Sequence, residues 1–231
     1  MNYDKVMDKL KSMANPKNVE VMARFGISPE SNLGISVSDL RKLAKEVGKD
    51  HNLALELWHS GVRDACMLAC LIDDPKKVSE KQLDVWVRDF NSWDVCDTCC
   101  GSLFDKVDFA YDKAFEWSSC NEEFVKRAGF ALMAWLALHD KKSSDEKFVE
   151  FLSVIKRESV DDRNYVKKAV NWSLRQIGKR NVSLNKMAVD VAFDLQKSEY
   201  KSARWVGSDA FRELSSDKVR ERLLGRKTEV A

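Results

Sequence analysis

Along most of this 231-residue chain the apolar residues recur three and four apart, and only 9 glycines and 3 prolines interrupt them. Side chains at that spacing share one face of an α-helix. Turns and strand ends draw on glycine and proline, whereas helix interiors avoid them, so both signals favour helix. The spacing predicts helices near 3–14, 37–47, 50–60, 62–72, 79–90, 93–105, 121–139, 145–157, 162–180, 184–197, 201–214 and 217–224. Ser36 before VSDL, Ser79 before EKQL and Asp161 before DRNY read as helix starts. Pro16, Pro29 and Pro75 fall between the predicted segments and interrupt none of them. No alternating apolar run bounded by turns argues for a strand.

A degenerate repeat runs through the helices. VRDA begins at Val62, VKRA at Val125 and VKKA at Val166, each opening an apolar helix. The helix starting near Trp93 lies midway between the first two, and ARW at Ala203 follows the third at a similar interval. Intervals of thirty to forty-odd residues suit stacked helix pairs, which build a curved solenoid with the second helix of each pair on its inner face. An irregular helical bundle is the simpler alternative.

Composition narrows the function classes. The chain is 44% hydrophobic and 33% charged, enough for a packed core. Its mean hydropathy of -0.42 fits a globular chain. No apolar run is long enough to span a membrane, and MNYDKVMDKLKSM reads as an amphipathic helix rather than a signal peptide, so a cytoplasmic location is expected. The net charge of +2 hides a gradient: from Asp161 onward there are sixteen Lys and Arg against ten Asp and Glu. Such a basic C-terminal third permits an anionic partner. Cys96 and Cys99 form a C-x-x-C without a second pair or a nearby His, so no zinc site is expected. The six cysteines are expected to be small buried residues in a reducing compartment. No glycine-rich phosphate loop is present, and His51, His59 and His139 are too scattered for a triad or a metal site; no metal and no cofactor are expected.

Three constellations remain. On the helix from Tyr165 to Arg180, Val166, Val170, Leu174 and Ile177 form one face and Lys168, Trp172, Arg175 and Lys179 another. Cations with an embedded indole suit a nucleic-acid backbone; a snorkelling basic face with Trp172 partly in the core is the plainer reading. Trp93 and Asp97, in SWDVCDTCCG, lie one turn apart, with Gly101 a turn further on. An indole beside a carboxylate offers a cation both a π face and a negative charge; a surface acid beside a core tryptophan would look the same. Arg127 has Ala131 and Ala134 on its side of the helix, small neighbours that would leave its guanidinium free for a phosphate.

Together these segments resemble the AlkD-like DNA glycosylases of the DNA alkylation repair family. The resemblance rests on WDVCD (93–97), VKRA (125–128), VKKAVNWSLRQIGKRN (166–181), SARWVGSDAFREL (202–214) and GISVSDLRKLAKE (34–46), and it covers nearly the whole chain. It implies an all-α fold, a right-handed solenoid of HEAT-like helical repeats with a concave basic groove, as one domain over 1–231. It also implies a monomeric enzyme that excises positively charged N3- and N7-alkylated purines from double-stranded DNA without flipping the base into a pocket. Asp97 matches the family's catalytic aspartate, Trp93 and Trp172 its cleft tryptophans, and Arg127 its phosphate-contacting arginine. Arg175 falls at a second basic position, with Lys168 and Lys179 as supporting DNA-binding residues. Two alternatives stay open: a non-catalytic binder of damaged or branched DNA on the same scaffold, and a protein-interaction solenoid.

Overall fold

The computed structural model describes residues 1–225 and divides them into two compact units, 1–110 and 111 onward. The last six residues of the expected 1–231 domain lie outside the described residues. Fourteen α-helices and one short 3-10 helix make up the described chain, and no strand occurs among the described residues.

The first unit contains α1 (Tyr3–Ser12), α2 (Pro16–Arg24), α3 (Val37–Val47), α4 (His51–His59), α5 (Arg63–Ile72), α6 (Glu80–Arg88), α7 (Trp93–Ser102) and a 3-10 turn at Phe104–Lys106. Ser36 and Ser79 cap α3 and α6 as expected, each accepting a backbone N–H three residues on. Helix α5 packs against α3, α4 and α7 and lies at the centre of the unit. Nine of its ten residues are buried, including the charged pair Arg63 and Asp64. The Trp58 and Trp86 rings stack 4.1 Å apart, and the Trp58 indole donates to Asp89.

Helix α2 was not predicted. It buries no side chain, so it carries no core-facing stripe for a sequence reading to find. Pro16, expected between helices, is the first residue of this one. A missing N–H costs nothing in the first turn, and Asn15 caps the helix by accepting from Asn18.

The second unit contains α8 (Ala110–Ser118, whose first residue is the last of the first unit), α9 (Glu123–His139), α10 (Asp145–Glu158), α11 (Asn164–Gly178), α12 (Val182–Leu195), α13 (Lys201–Leu214) and α14 (Asp217–Gly225). Helix α9 packs on α11, and α11 packs on α13. Helix α8 was also missed: its buried apolar positions are Ala110, Ala114 and Trp117, and alanines give a faint hydrophobic signal. Asp161 does not start α11. Its carboxylate accepts the Arg163 backbone N–H and pairs with the Arg163 guanidinium, and the helix begins three residues later, at Asn164.

Polar contacts recur at fixed offsets. In the first unit Leu33–Asp64, Trp58–Asp89 and Arg63–Asp94 are each 31 residues apart. In the second, Arg127–Tyr165, Lys156–Asp194, Arg157–Ser119, Asn171–Asp209 and Arg175–Glu213 are each 38 apart. A constant offset is what stacked repeats produce, because each side chain meets the matching position one repeat away. The repeat is shorter in the first unit than in the second, which is why the motif looks degenerate in the sequence.

Candidate nucleic-acid site

In the first unit, Trp93 is the first residue of α7 and Asp97 lies one turn along it. Both are partly exposed, while Asp94, Val95 and Cys96 between them are buried. The helix thus turns a single edge outward, with the indole and the carboxylate on it. The indole is oriented: its N–H donates to the Phe25 carbonyl over 3.0 Å. Beside Trp93, Asp94 accepts the Arg63 Nε–H over 2.8 Å and the Ser92 hydroxyl over 2.6 Å. The other side of the helix start, at Ser92 and Val95, lines a separate cavity of about 820 Å³ with Trp58 and Trp86; Trp93 and Asp97 are not among its lining residues.

Cys96, Cys99 and Cys100, around Asp97, are all buried. Burial, then the neighbouring Cys96 and the Asp97 charge, push the Cys100 thiol well up, so it stays neutral. Burial likewise pushes Cys66 up to about 12. The expectation of uniformly reduced cysteines is corrected at one place: Cys70 of α5 and Cys99 of α7 form a disulfide. Cys66 and Cys70 lie one turn apart on α5, but Cys70 is bonded across to α7, which the sequence of one helix cannot show. Among the described residues no group of three or more His, Cys, Asp and Glu is placed to hold a metal ion, and no helix is long and apolar enough to cross a membrane.

In the second unit the core face of α11 is as expected, with Val166, Val170, Leu174 and Ile177 fully buried. The opposite stripe differs from expectation. Arg175 donates to Glu213 over 2.7 Å, and Lys179 pairs with the other oxygen of the same carboxylate over 2.7 Å. These two cations therefore already hold an internal counter-ion. The Arg175 Nε–H is buried without a hydrogen-bond partner. Lys168 is exposed. Trp172 is partly exposed and meets Trp135 edge-to-face at 5.4 Å, and Trp135 stacks on His139 at 4.8 Å. Trp135 was missed by the sequence reading, although it stands among apolar residues on the VKRA helix.

Arg127 requires a second correction. Its guanidinium is not held out to solvent: the residue is 6% exposed and donates to the Tyr165 carbonyl at the start of α11 over 2.7 Å. The small residues beside it let α11 approach, because α9 and α11 are packed together. Trp93 and Asp97 belong to the first unit, and Arg127, Lys168, Trp172, Arg175 and Lys179 to the second.

The Glu213 clamp has a pH signature. Burial raises the Glu213 pKa, but hydrogen bonds and charge from Lys179 and Arg175 outweigh it and hold the carboxyl below the usual glutamate value. A depressed acid contributes stability that is complete above its unfolded pKa, about 4.3, and is lost as pH falls through the lower folded value. Thermal unfolding of wild type against Glu213→Gln should therefore show a difference at pH 7 that closes below about pH 4.

Helix pairs stacked at a constant offset, all-α throughout the described residues, define a HEAT-like helical-repeat protein. A solved structure of this fold superposes on the chain with a TM-score of 0.81 and 24% identity, covering 96% of each chain. That protein is described as one of a new family related to the HEAT-like repeat DNA glycosylases with affinity for branched DNA structures. The present chain belongs to the DNA alkylation repair enzyme family, whose model matches residues 6–214. An uncharacterized protein of Listeria innocua is 26% identical over 136 residues, and one of Listeria monocytogenes is 24% identical over 136. Each match covers 57% of this chain and 61% of the relative, so the chain spans about three fifths of the curated relatives it matches.

Proposed function

We propose that the chain is a DNA glycosylase that hydrolyses the N-glycosidic bond of positively charged N3- and N7-alkylpurines in duplex DNA, without extruding the base. The observation that carries this reading is the Trp93–Asp97 edge of α7 in a member of the DNA alkylation repair enzyme family. An alkylated purine already bears a positive charge. When its C1′–N bond breaks, the electron pair leaves with the purine, which departs neutral, so little general-acid help is needed. The developing charge sits on the sugar as an oxocarbenium ion. Asp97 stabilises that cation and orients the water that attacks C1′ and releases a proton. The Trp93 indole face supports the same cation. In the second unit Trp172 presents a further aromatic surface, and Lys168 is the expected cation most open to a phosphate. Arg127 acts indirectly in this reading, by holding the start of α11. The test is release of 7-methylguanine from methylated duplex DNA by the wild-type protein; no release would sink the enzyme reading.

A second reading is favoured by the description of the structural relative, which has affinity for branched DNA. Here the chain binds DNA structure and Asp97 has no chemical role. Tight binding to an undamaged four-way junction, with no base released from methylated duplex, would select it.

Both readings involve DNA, and the Glu213 clamp gives them a common test. Glu213→Gln removes the carboxylate charge that Arg175 and Lys179 share, while Asp209 stays 3.8 Å from Arg175. Each cation freed to meet a phosphate steepens the slope of log affinity against log salt by about 0.9. The variant should therefore bind duplex DNA more tightly at low salt, with a slope steeper by about 1, read by fluorescence polarisation from 50 to 300 mM salt.

A further inference from the structure

VRDA departs from VKRA and VKKA by carrying an acid at its third position. That acid, Asp64, is fully buried and accepts the backbone N–H groups of Leu33 and Ile35 over 2.7 and 3.0 Å. The Arg63 side chain donates to it over 2.9 Å, and the Arg63 backbone N–H donates to the Ser31 carbonyl over 2.8 Å. Ser31 itself sits in the left-handed region, with φ 51°. Segment 25–35 is thus strapped to the start of α5. The first carbonyl of the strap, at Phe25, receives the Trp93 indole N–H. Arg63 reaches from the start of α5 to Asp94, the residue after Trp93. The contacts close a ring: from α5 to the strap, from the strap to Trp93, and from the start of α7 back to α5.

We infer that Asp64 and Arg63 are positioning residues for the Trp93–Asp97 pair, holding the strap and the start of α7 in one register so that the indole keeps a single orientation beside the turn that carries Asp97. The inference rests on the reading of that pair as the site of base release. It explains why this repeat alone needs an acid after its arginine: two strap N–H groups must be accepted in the interior, where an unmet donor is costly. The strap does no chemistry; it limits how far the indole can rotate.

The test follows the Trp93 indole N–H directly, by hydrogen exchange in protein labelled with 15N-tryptophan, the signal being assigned by its loss in Trp93→Phe. Asp64→Asn loosens the strap from the α5 side. Gly34→Ala loosens it from the strap itself, because a Cβ there meets the Asn15 carbonyl oxygen at 2.3 Å on a backbone with φ +72°. Both variants should exchange the Trp93 indole N–H faster by roughly five- to ten-fold, with amide exchange in α11 unchanged. Single-turnover base release should fall by a similar factor, roughly five- to ten-fold, with DNA affinity within about two-fold of wild type. Unchanged indole exchange in both variants would overturn the inference, as would faster exchange with an unchanged release rate. If wild type released no base at all, the glycosylase reading would fail, and indole exchange alone would decide whether the strap positions Trp93.

Discussion

Asp97→Asn is expected to bind methylated duplex DNA as tightly as wild type and to release 7-methylguanine at least about 100-fold more slowly, the loss found when one preorganised electrostatic stabiliser is removed. The substitution keeps the shape of the side chain and removes its charge. Asp97 is partly exposed on the edge of α7, so asparagine meets no steric bar. Affinity should hold or rise, because a negative charge facing a polyanion is taken away. The effect then belongs in the chemical step, and single-turnover rates at saturating protein isolate that step. An asparagine variant that cut at the wild-type rate would remove Asp97 from the mechanism. An equal loss of binding and cutting would point to a structural role instead.

The largest expected effect on stability comes from a glycine. Gly129 of α9 lies against the end of α8, where an added Cβ would stand 2.4 Å from the Ser118 nitrogen and 3.0 Å from the Ala114 carbonyl oxygen. Those neighbours are backbone atoms and cannot rotate aside. Gly129→Val should therefore cost about 3 kcal/mol, the upper end of ordinary overpacking, and lower the unfolding midpoint in urea without a change in slope. Gly61→Ala is the control. No atom lies within 4 Å of its Cβ, and φ is +65°, so only backbone strain is charged, about 1 kcal/mol. Similar losses in the two variants would mean that α8 can shift to make room. Gly207 plays the part of Gly129 between α12 and α13, against the Ala192 carbonyl oxygen at 2.6 Å.

Much of the fold was legible because most helices bury a continuous stripe. The boundaries of α3 and α13 match the predicted 37–47 and 201–214. The two missed helices lack that stripe, α2 because it buries nothing and α8 because its stripe is built on alanine. The Trp93–Asp97 spacing was legible because both residues sit on one helix, and a four-residue interval fixes their relation. The state of the basic residues was not. Arg127 is covered by a carbonyl 38 residues away, and Arg175 is paired with a carboxylate at the same distance along the chain. A stripe read along one helix cannot show what the next repeat places against it. The Cys70–Cys99 bond, 29 residues apart, was hidden for the same reason.

The constant offsets between repeats bear on which changes of length the chain can tolerate. Asn171 and Arg175 meet Asp209 and Glu213 across a single 38-residue step. One residue inserted within α11, between Val166 and Asn171, would turn both side chains by about 100° around the helix and break the two contacts together. The same insertion at 196–200, between α12 and α13, would lengthen a connection and leave both helical faces in phase. Within the second unit a step of 38 residues keeps successive helical faces in phase, because that offset is itself one repeat. Length variation among related chains should then fall into two kinds, single residues in the connections and steps of one complete helix pair.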